Sequence, residues 1–358
     1  MTLCFATVLL LLIVQVIADT QPSTTITGNV PVITSSEFSF DGPKVGAINS
    51  SSFDWWYFDA VSKDGSMGVT LIFLRTVIFG TSPSANSVQV TLRNKKIKID
   101  ESFTANISTV TTDGYGASGC WSDVGSFTGS PDLSEYSISI DTDSVQGFLS
   151  IQSIAPPHYP DGNPPGTDAD VLVSPAFYWT NSIPAGIASC KFTVNGKIIE
   201  FENGVGYHDH NWGGITLPAI IETWYWGHAT VGPFSFVWFD IISRLTGTRF
   251  SSTYLVKDGQ ILVAGQQTPF SSSDDFTLVI PFGNGTLFPP TATINLPSAF
   301  LIEIKDRNRR WSFVAQAVDV ASNSVLGFYT RWIGTVSGGE VGGAKHEGSG
   351  VWEWMRFI

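Results

Sequence analysis

No stretch of this 358-residue chain keeps its apolar residues at helical spacing for about ten residues or more. Short runs rich in Val, Ile, Phe, Tyr, Thr and Trp are broken instead by Gly, Asn, Asp, Ser and Pro. Trp55–Val61, Gly68–Phe73, Val88–Leu92, Thr223–Thr230, Phe234–Ile242 and Trp311–Val318 are examples. With 35 Gly and 19 Pro, the chain has the breakers such turns require. This pattern predicts an all-β protein, because many short strands bury their apolar faces as sandwiches or barrels.

The length allows two β domains. Cys190–Val194 and Lys197–Phe201 read as a hairpin joined by Asn195-Gly196, a dipeptide suited to a two-residue turn. The boundary is placed there, giving an N-terminal β domain over 37–200 and a C-terminal β-barrel over 201–358. Residues 19–36, rich in Thr, Ser and Pro, read as a flexible leader. The Pro-rich stretch 155–166 reads as a long irregular loop of the kind that is functional or disordered.

Residues 1–18 are almost wholly apolar and end in Val16 and Ala18, small residues at the two positions a signal peptidase reads. They predict a secretory signal, although no Lys or Arg precedes the apolar run. The secretory pathway, whether ER lumen, vesicle or extracellular space, is the expected location. Asn49, Asn106 and Asn284 open glycosylation sequons. Cys120 and Cys190 remain after cleavage, either as one disulfide or as two buried thiols. No later segment is long and apolar enough to span a bilayer as a helix. A net charge of −12 argues against nucleic acid.

The chain is only 14% charged, yet His208, Asp209, His210, Asn211 and Trp212 follow one another between glycines. His208 and His210 share a strand face, which admits a metal, but no Cys cluster or His-Glu-x-x-His motif completes a ligand set, so the metal reading is the least favoured and no metal is assigned. Three readings stay open for this run: a ligand set, acid–base chemistry with Asp209 or His210 delivering a proton, and a structural knot of local hydrogen bonds. Trp224, Trp226 and His228 share one strand face, and Phe234, Phe236, Trp238 and Asp240 share another. They read as an aromatic wall for an apolar ligand or as core filling. No phosphate cradle, dinucleotide fingerprint or serine elbow is present, so no cofactor is expected.

The segments Asp54–Ala60, Gly206–Gly213 and Trp224–His228 together resemble the superfamily of carotenoid 1,2-hydratase, whose fungal branches include kievitone hydratase and the fungal Diels–Alderases. The resemblance spans about residues 37–358. It implies two lipocalin-like β domains packed together, with a pocket at or between them. It places Asp54 as the polar-head anchor and Trp56 and Trp226 as stacking residues. The catalytic candidates are Asp54, Trp226, Asp209 and His210. Trp56, Trp224, His228, Trp238 and Tyr178 form the substrate-binding set, and Asp54, Trp56, Trp226 and Trp238 are expected near one cavity. The implied activity is a cofactor-independent intramolecular [4+2] cycloaddition of a polyene polyketide or polyketide–amino acid hybrid. The alternatives are a secreted hydratase acting on a prenyl double bond and a non-catalytic lipocalin-like carrier.

Overall fold

The computed structural model describes residues 18–77, 84–267, 276–283, 296–324 and 329–357. Two antiparallel sheets carry the architecture, one of 13 strands and one of nine among the described residues. Every strand run named above lies inside an observed strand, usually a longer one. The described residues are all-β apart from the helix Leu217–Ile220, whose four residues are too few to show a helical period.

The Asn195-Gly196 turn is present. Both residues have positive φ, 47° and 77°, and Val194 pairs with Lys197, as a tight hairpin requires. Its arms are much longer than expected, Phe177–Val194 and Lys197–Gly213. The second arm turns back into the first sheet and pairs with Phe53–Val61. The boundary at 200/201 is therefore corrected: the second sheet begins at Ile221, after the helix. A hairpin arm must stay with its partner, so the glycine-bracketed motif closes the first sheet.

Three apolar cores follow. The first sheet curls around one, containing Phe58, Phe73, Trp121 and Phe127. The second sheet curls around another, containing Phe236, Trp311, Phe313 and Trp332. A third lies between the sheets and holds Trp55, Trp179, Trp224, Trp226 and Phe239. The strand Phe53–Val61 separates the first core from the third and is buried along its whole length. Strand side chains alternate, so Trp56 and Phe58 enter one core while Trp55 and Tyr57 enter the other.

The stretch 155–166 is ordered across the seam. Tyr254 Oη donates to the Pro156 carbonyl at 2.8 Å, and Ser252 Oγ to the Pro160 carbonyl at 2.8 Å. His158 stacks on Tyr254 with ring centroids 4.0 Å apart. Burial lowers the His158 pKa to about 4, so it stays neutral near pH 7.

Residues 19–36 also depart from the expected loose leader. Ala18–Pro22 forms an edge strand against Ile107–Asp113. Ile33 accepts the Trp212 indole N–H at 2.7 Å. Asp19 is the counter-ion of Arg75, which is 1% exposed and also donates to Ser108 Oγ at 2.9 Å. Cys120 and Cys190 are both free thiols, one exposed and one buried, so the disulfide is not formed. Burial pushes the Cys190 thiol up to about 12.

Removing the partner of a buried charge is costly, and water reaching the half-exposed Asp19 reduces that cost. Asp19→Ala is expected to lower unfolding stability by roughly 1–3 kcal/mol, read as a lower denaturant midpoint. Pairing it with Arg75→Met should recover part of the loss, because no unpaired guanidinium then remains buried.

Candidate functional site

The third core is not filled. A cavity of about 770 Å³ opens within it, walled by Trp55, Trp224, Trp226 and Phe239, with Leu217 and Met355 beside them. Polar groups from both sheets converge on the same space: Asp209 and Asn211 from the first, Tyr329, Arg331 and Glu353 from the second. Apolar walls with a few convergent polar groups are what a small-molecule site requires.

Asp209 reaches the cavity because it stands opposite Tyr57, on the face that looks to the second sheet. It is 2% exposed. Trp179 Nε1 and Tyr207 Oη donate to its Oδ2 at 2.9 and 2.8 Å, and Asn211 Nδ2 donates to its Oδ1 at 2.7 Å. Burial raises the carboxyl, and these three donors pull it back only as far as about 7. It therefore holds a proton over part of the neutral range. The Trp224 indole N–H, in a residue 5% exposed, has no hydrogen-bond partner among the described residues. With Asn211 it gives the wall fixed donors that cost little to reorganise.

The opposite wall is an ion pair. Arg331 Nη2 and Nε lie 3.1 and 3.2 Å from Glu353 Oε2, and Tyr329 Oη donates to the same oxygen at 2.5 Å. Burial raises the Glu353 carboxyl against the pull of Arg331. Behind this wall His228 Nε2 meets Asp59 Oδ1 at 2.8 Å, and Tyr57 Oη donates to Asp59 Oδ2 at 2.6 Å. Trp226 stands edge-on to Tyr57 and Tyr207, centroids 5.2 and 5.1 Å away, which fixes its ring.

The candidates expected around one cavity divide among three cores. Asp209, Trp226 and Trp224 line the cavity. His228 shares their face but sits behind the wall, stacked on Tyr207 at 4.4 Å. Asp54, Trp56 and His210 lie across the sheet in the first core. There His210 Nε2 meets Asp54 Oδ1 at 2.6 Å, and His210 stacks on Trp56 at 4.4 Å. Asp54 also accepts the Lys44 and Val45 backbone N–H groups, which anchors the entering chain rather than a ligand. His208 joins this network through Asp41, which also accepts from Tyr136 and Ser182. Tyr178 stacks on Trp212, centroids 5.8 Å apart, on that same side. Trp238 packs in the second core, where it stands opposite Gly227. A Cβ on Gly227 would sit 2.3 Å from the Trp238 ring, so the glycine makes room for the indole. The shared pocket of Asp54, Trp56, Trp226 and Trp238 is thus corrected.

Sequence reasoning missed Trp55, Tyr57, Arg331 and Glu353. A signal existed for the last two: Glu353 stands between Trp352 and Trp354, and Arg331 alternates with Tyr329 and Ile333 on its strand. Among the described residues, no group of three or more His, Cys, Asp or Glu is disposed to hold a metal. No helix there is long and apolar enough to cross a membrane.

The fold and cavity define a two-sheet, lipocalin-like β protein with an aromatic-walled cavity between its sheets. The chain belongs to the Diels-Alderase-like family, whose sequence model matches residues 13–357. It is 32% identical to the quinolone epoxide rearrangement protein penF of Penicillium thymicola, covering 91% of each chain. It is 28% identical to the Diels-Alderase pyiF of Pyricularia grisea, covering 89% of this chain and 78% of that one. The crystal structure of CghA with Sch210972 matches with a TM-score of 0.78 at 18% identity, covering 95% of this chain and 98% of that one. Kievitone hydratase from Nectria haematococca matches with a TM-score of 0.55 at 12% identity, covering 94% and 97%. These structural likenesses establish the fold.

Trp179 touches Asp209 but does not line the cavity. Losing a donor to a carboxylate disfavours its charged form. Trp179→Phe is therefore expected to raise the Asp209 pKa by about one unit, read as the side-chain carboxyl carbon shift against pH. Tyr178→Phe, on the other side of the sheet, should leave that titration unmoved.

Proposed function

We propose that this chain is a pericyclase of secondary metabolism that cyclises a flexible polyene by an intramolecular [4+2] reaction. The observation that carries the reading is the aromatic cavity between the sheets, with polar groups gathered from both of them. Such a reaction consumes two π bonds, forms two σ bonds and moves no atom in or out. The protein contributes by restricting conformers between Trp55, Trp224, Trp226 and Phe239 and by polarising a dienophile carbonyl. The donors for that carbonyl are Asn211, the Trp224 indole and protonated Asp209, in place of Asp54.

A second isomerisation is favoured by a specific observation. Asp209 is a buried carboxyl poised near neutrality, and the two relatives at 32% and 30% identity are quinolone epoxide rearrangement proteins. An acid there would protonate an epoxide oxygen as its C–O bond breaks, with aromatic faces steadying the cation. Water addition loses one of its two acids, since His210 lies across the sheet. A carrier would use the same cavity and form no product.

The secretory reading is part of the same proposal: cleavage after Ala18, with Asp19 as the mature start. Asn106 is the better supported glycan site, being exposed beside the Lys98–Thr104 strand. The Asn49 side chain is engaged with Gly28, Ser51 and Ser52. Asn284 lies outside the described residues. Intact mass of native protein should show the shortened chain plus glycan; a retained Met1 without glycan would refute this.

Turnover should give a product of unchanged mass with no oxygen-18 from labelled water. Trp226→Ala should lower the rate by roughly 10²-fold through lost positioning, provided its circular dichroism matches the parent. Asp209→Asn separates the two isomerisations. An amide still donates, so a cycloaddition loses little. An epoxide opening loses its proton source and stops. Because the acid form is the active one, that second reaction should also slow as pH rises through about 7. Product heavier by one water would reject both.

A further inference from the structure

The charges around the cavity are one-sided. Four lining residues, Asp100, Glu101, Asp209 and Glu353, carry carboxyl groups, and among the described lining residues Arg331 alone is basic. Asp209 and Glu353 are buried in the walls, while Asp100 and Glu101 stand exposed at the rim. Arg331 is already committed. Glu353 holds it through two nitrogens, and the rings of Tyr57 and Tyr329 cover it at 5.0 and 5.4 Å. Asp59 adds a further carboxyl behind the same wall, beside Tyr57 and His228. Arg93, at the seam, donates to the Ala321 carbonyl at 2.7 Å.

An anion entering this space meets like charge at the rim and, once ionised, Asp209 within, and Glu353 already engages the cation that would offset them. Like charges brought together in a poorly solvated site weaken binding by about tenfold or more. A neutral carbonyl meets no such penalty. It accepts from the unpartnered Trp224 indole N–H, and an attached N–H or O–H donates toward Asp209 or Asn211. We infer that the substrate binds with an uncharged polar head, such as an amide, ketone or un-ionised enol, and that the cavity rejects carboxylates, phosphates and ionised enols. This rests on the cavity being the substrate site, as proposed above. It narrows the substrate to a polyene or aromatic body bearing a neutral head.

The test compares two probes that differ only in charge: a fluorescent conjugated-tetraene fatty acid and its primary amide. Each is titrated into the full chain at mildly alkaline pH, and binding is read by energy transfer from the cavity tryptophans. The amide should bind about tenfold or more tightly than the acid. The gap should narrow in the rim variant Asp100→Asn/Glu101→Gln. In Glu353→Gln, which frees Arg331, the acid should gain on the amide; if that protein does not fold, the rim variant carries the test. Ser102→Trp, a rim substitution that obstructs the mouth, should weaken the amide. An acid that binds as tightly as the amide, with both blocked by Ser102→Trp, overturns the inference and leaves the cavity as the site. A gap altered by neither charge variant also overturns it, because charge is then not its origin. An amide that does not bind, or that Ser102→Trp leaves bound, overturns the site itself and the inference with it.

Discussion

The rest of the structure depends on one strand pair being buried on both faces. Phe53–Val61 and the end of Lys197–Gly213 lie side by side, with an apolar core behind and the cavity in front. An unsatisfied buried donor or acceptor costs about 1–3 kcal/mol, so nearly every polar side chain on these faces is paired, with His210 Nδ1 lacking a hydrogen bond among the described residues. The two faces meet this demand with different networks. Behind, His208 and His210 tie Asp41 and Asp54 to the sheet, and with them the chain that enters it. In front, Tyr207 and Trp179 hold Asp209. The first network is sealed and structural. The second ends at open space, so its carboxyl can reach a ligand.

That difference gives the cavity its chemistry. A carboxyl in water is ionised at neutral pH, and one buried without donors is neutral. Asp209 lies between these limits because burial and three donors oppose each other. Across the cavity, Glu353 compensates Arg331, and the pair gives the wall polarity without a free charge. Fixed dipoles and one near-neutral acid, set among indole faces, suit reactions that rearrange bonds within a single substrate. A cycloaddition needs shape and carbonyl polarisation. An epoxide rearrangement needs a proton and an aromatic face. Both chemistries fit one architecture, and the names of the relatives include both.

Several local features were legible in the sequence. The strand runs, the Asn195-Gly196 turn and the shared face of Trp224 and Trp226 needed only period two and turn chemistry. The misplacement of Trp238 was avoidable. The Gly232-Pro233 turn sets Val231 opposite Phe234, which puts Phe239 rather than Trp238 beside Trp226. The misplacement of Asp54 and Trp56 was not avoidable in this way. Their grouping on one face was right. Which core that face enters was invisible, because both faces are equally apolar and hydropathy gives no orientation.

By itself, then, the sequence determined the class of the fold, the grouping of side chains by strand face and the chemistry concentrated between Gly204 and Gly213. Alternation and turn geometry are local, and a few neighbouring residues specify them. Tertiary structure alone decided which face opens on the cavity. It also decided that Arg331 meets Glu353 and that the 155–166 stretch crosses the seam to support Trp179 through His158. Those outcomes join residues far apart in the chain and depend on how two curled sheets dock, which no local pattern records.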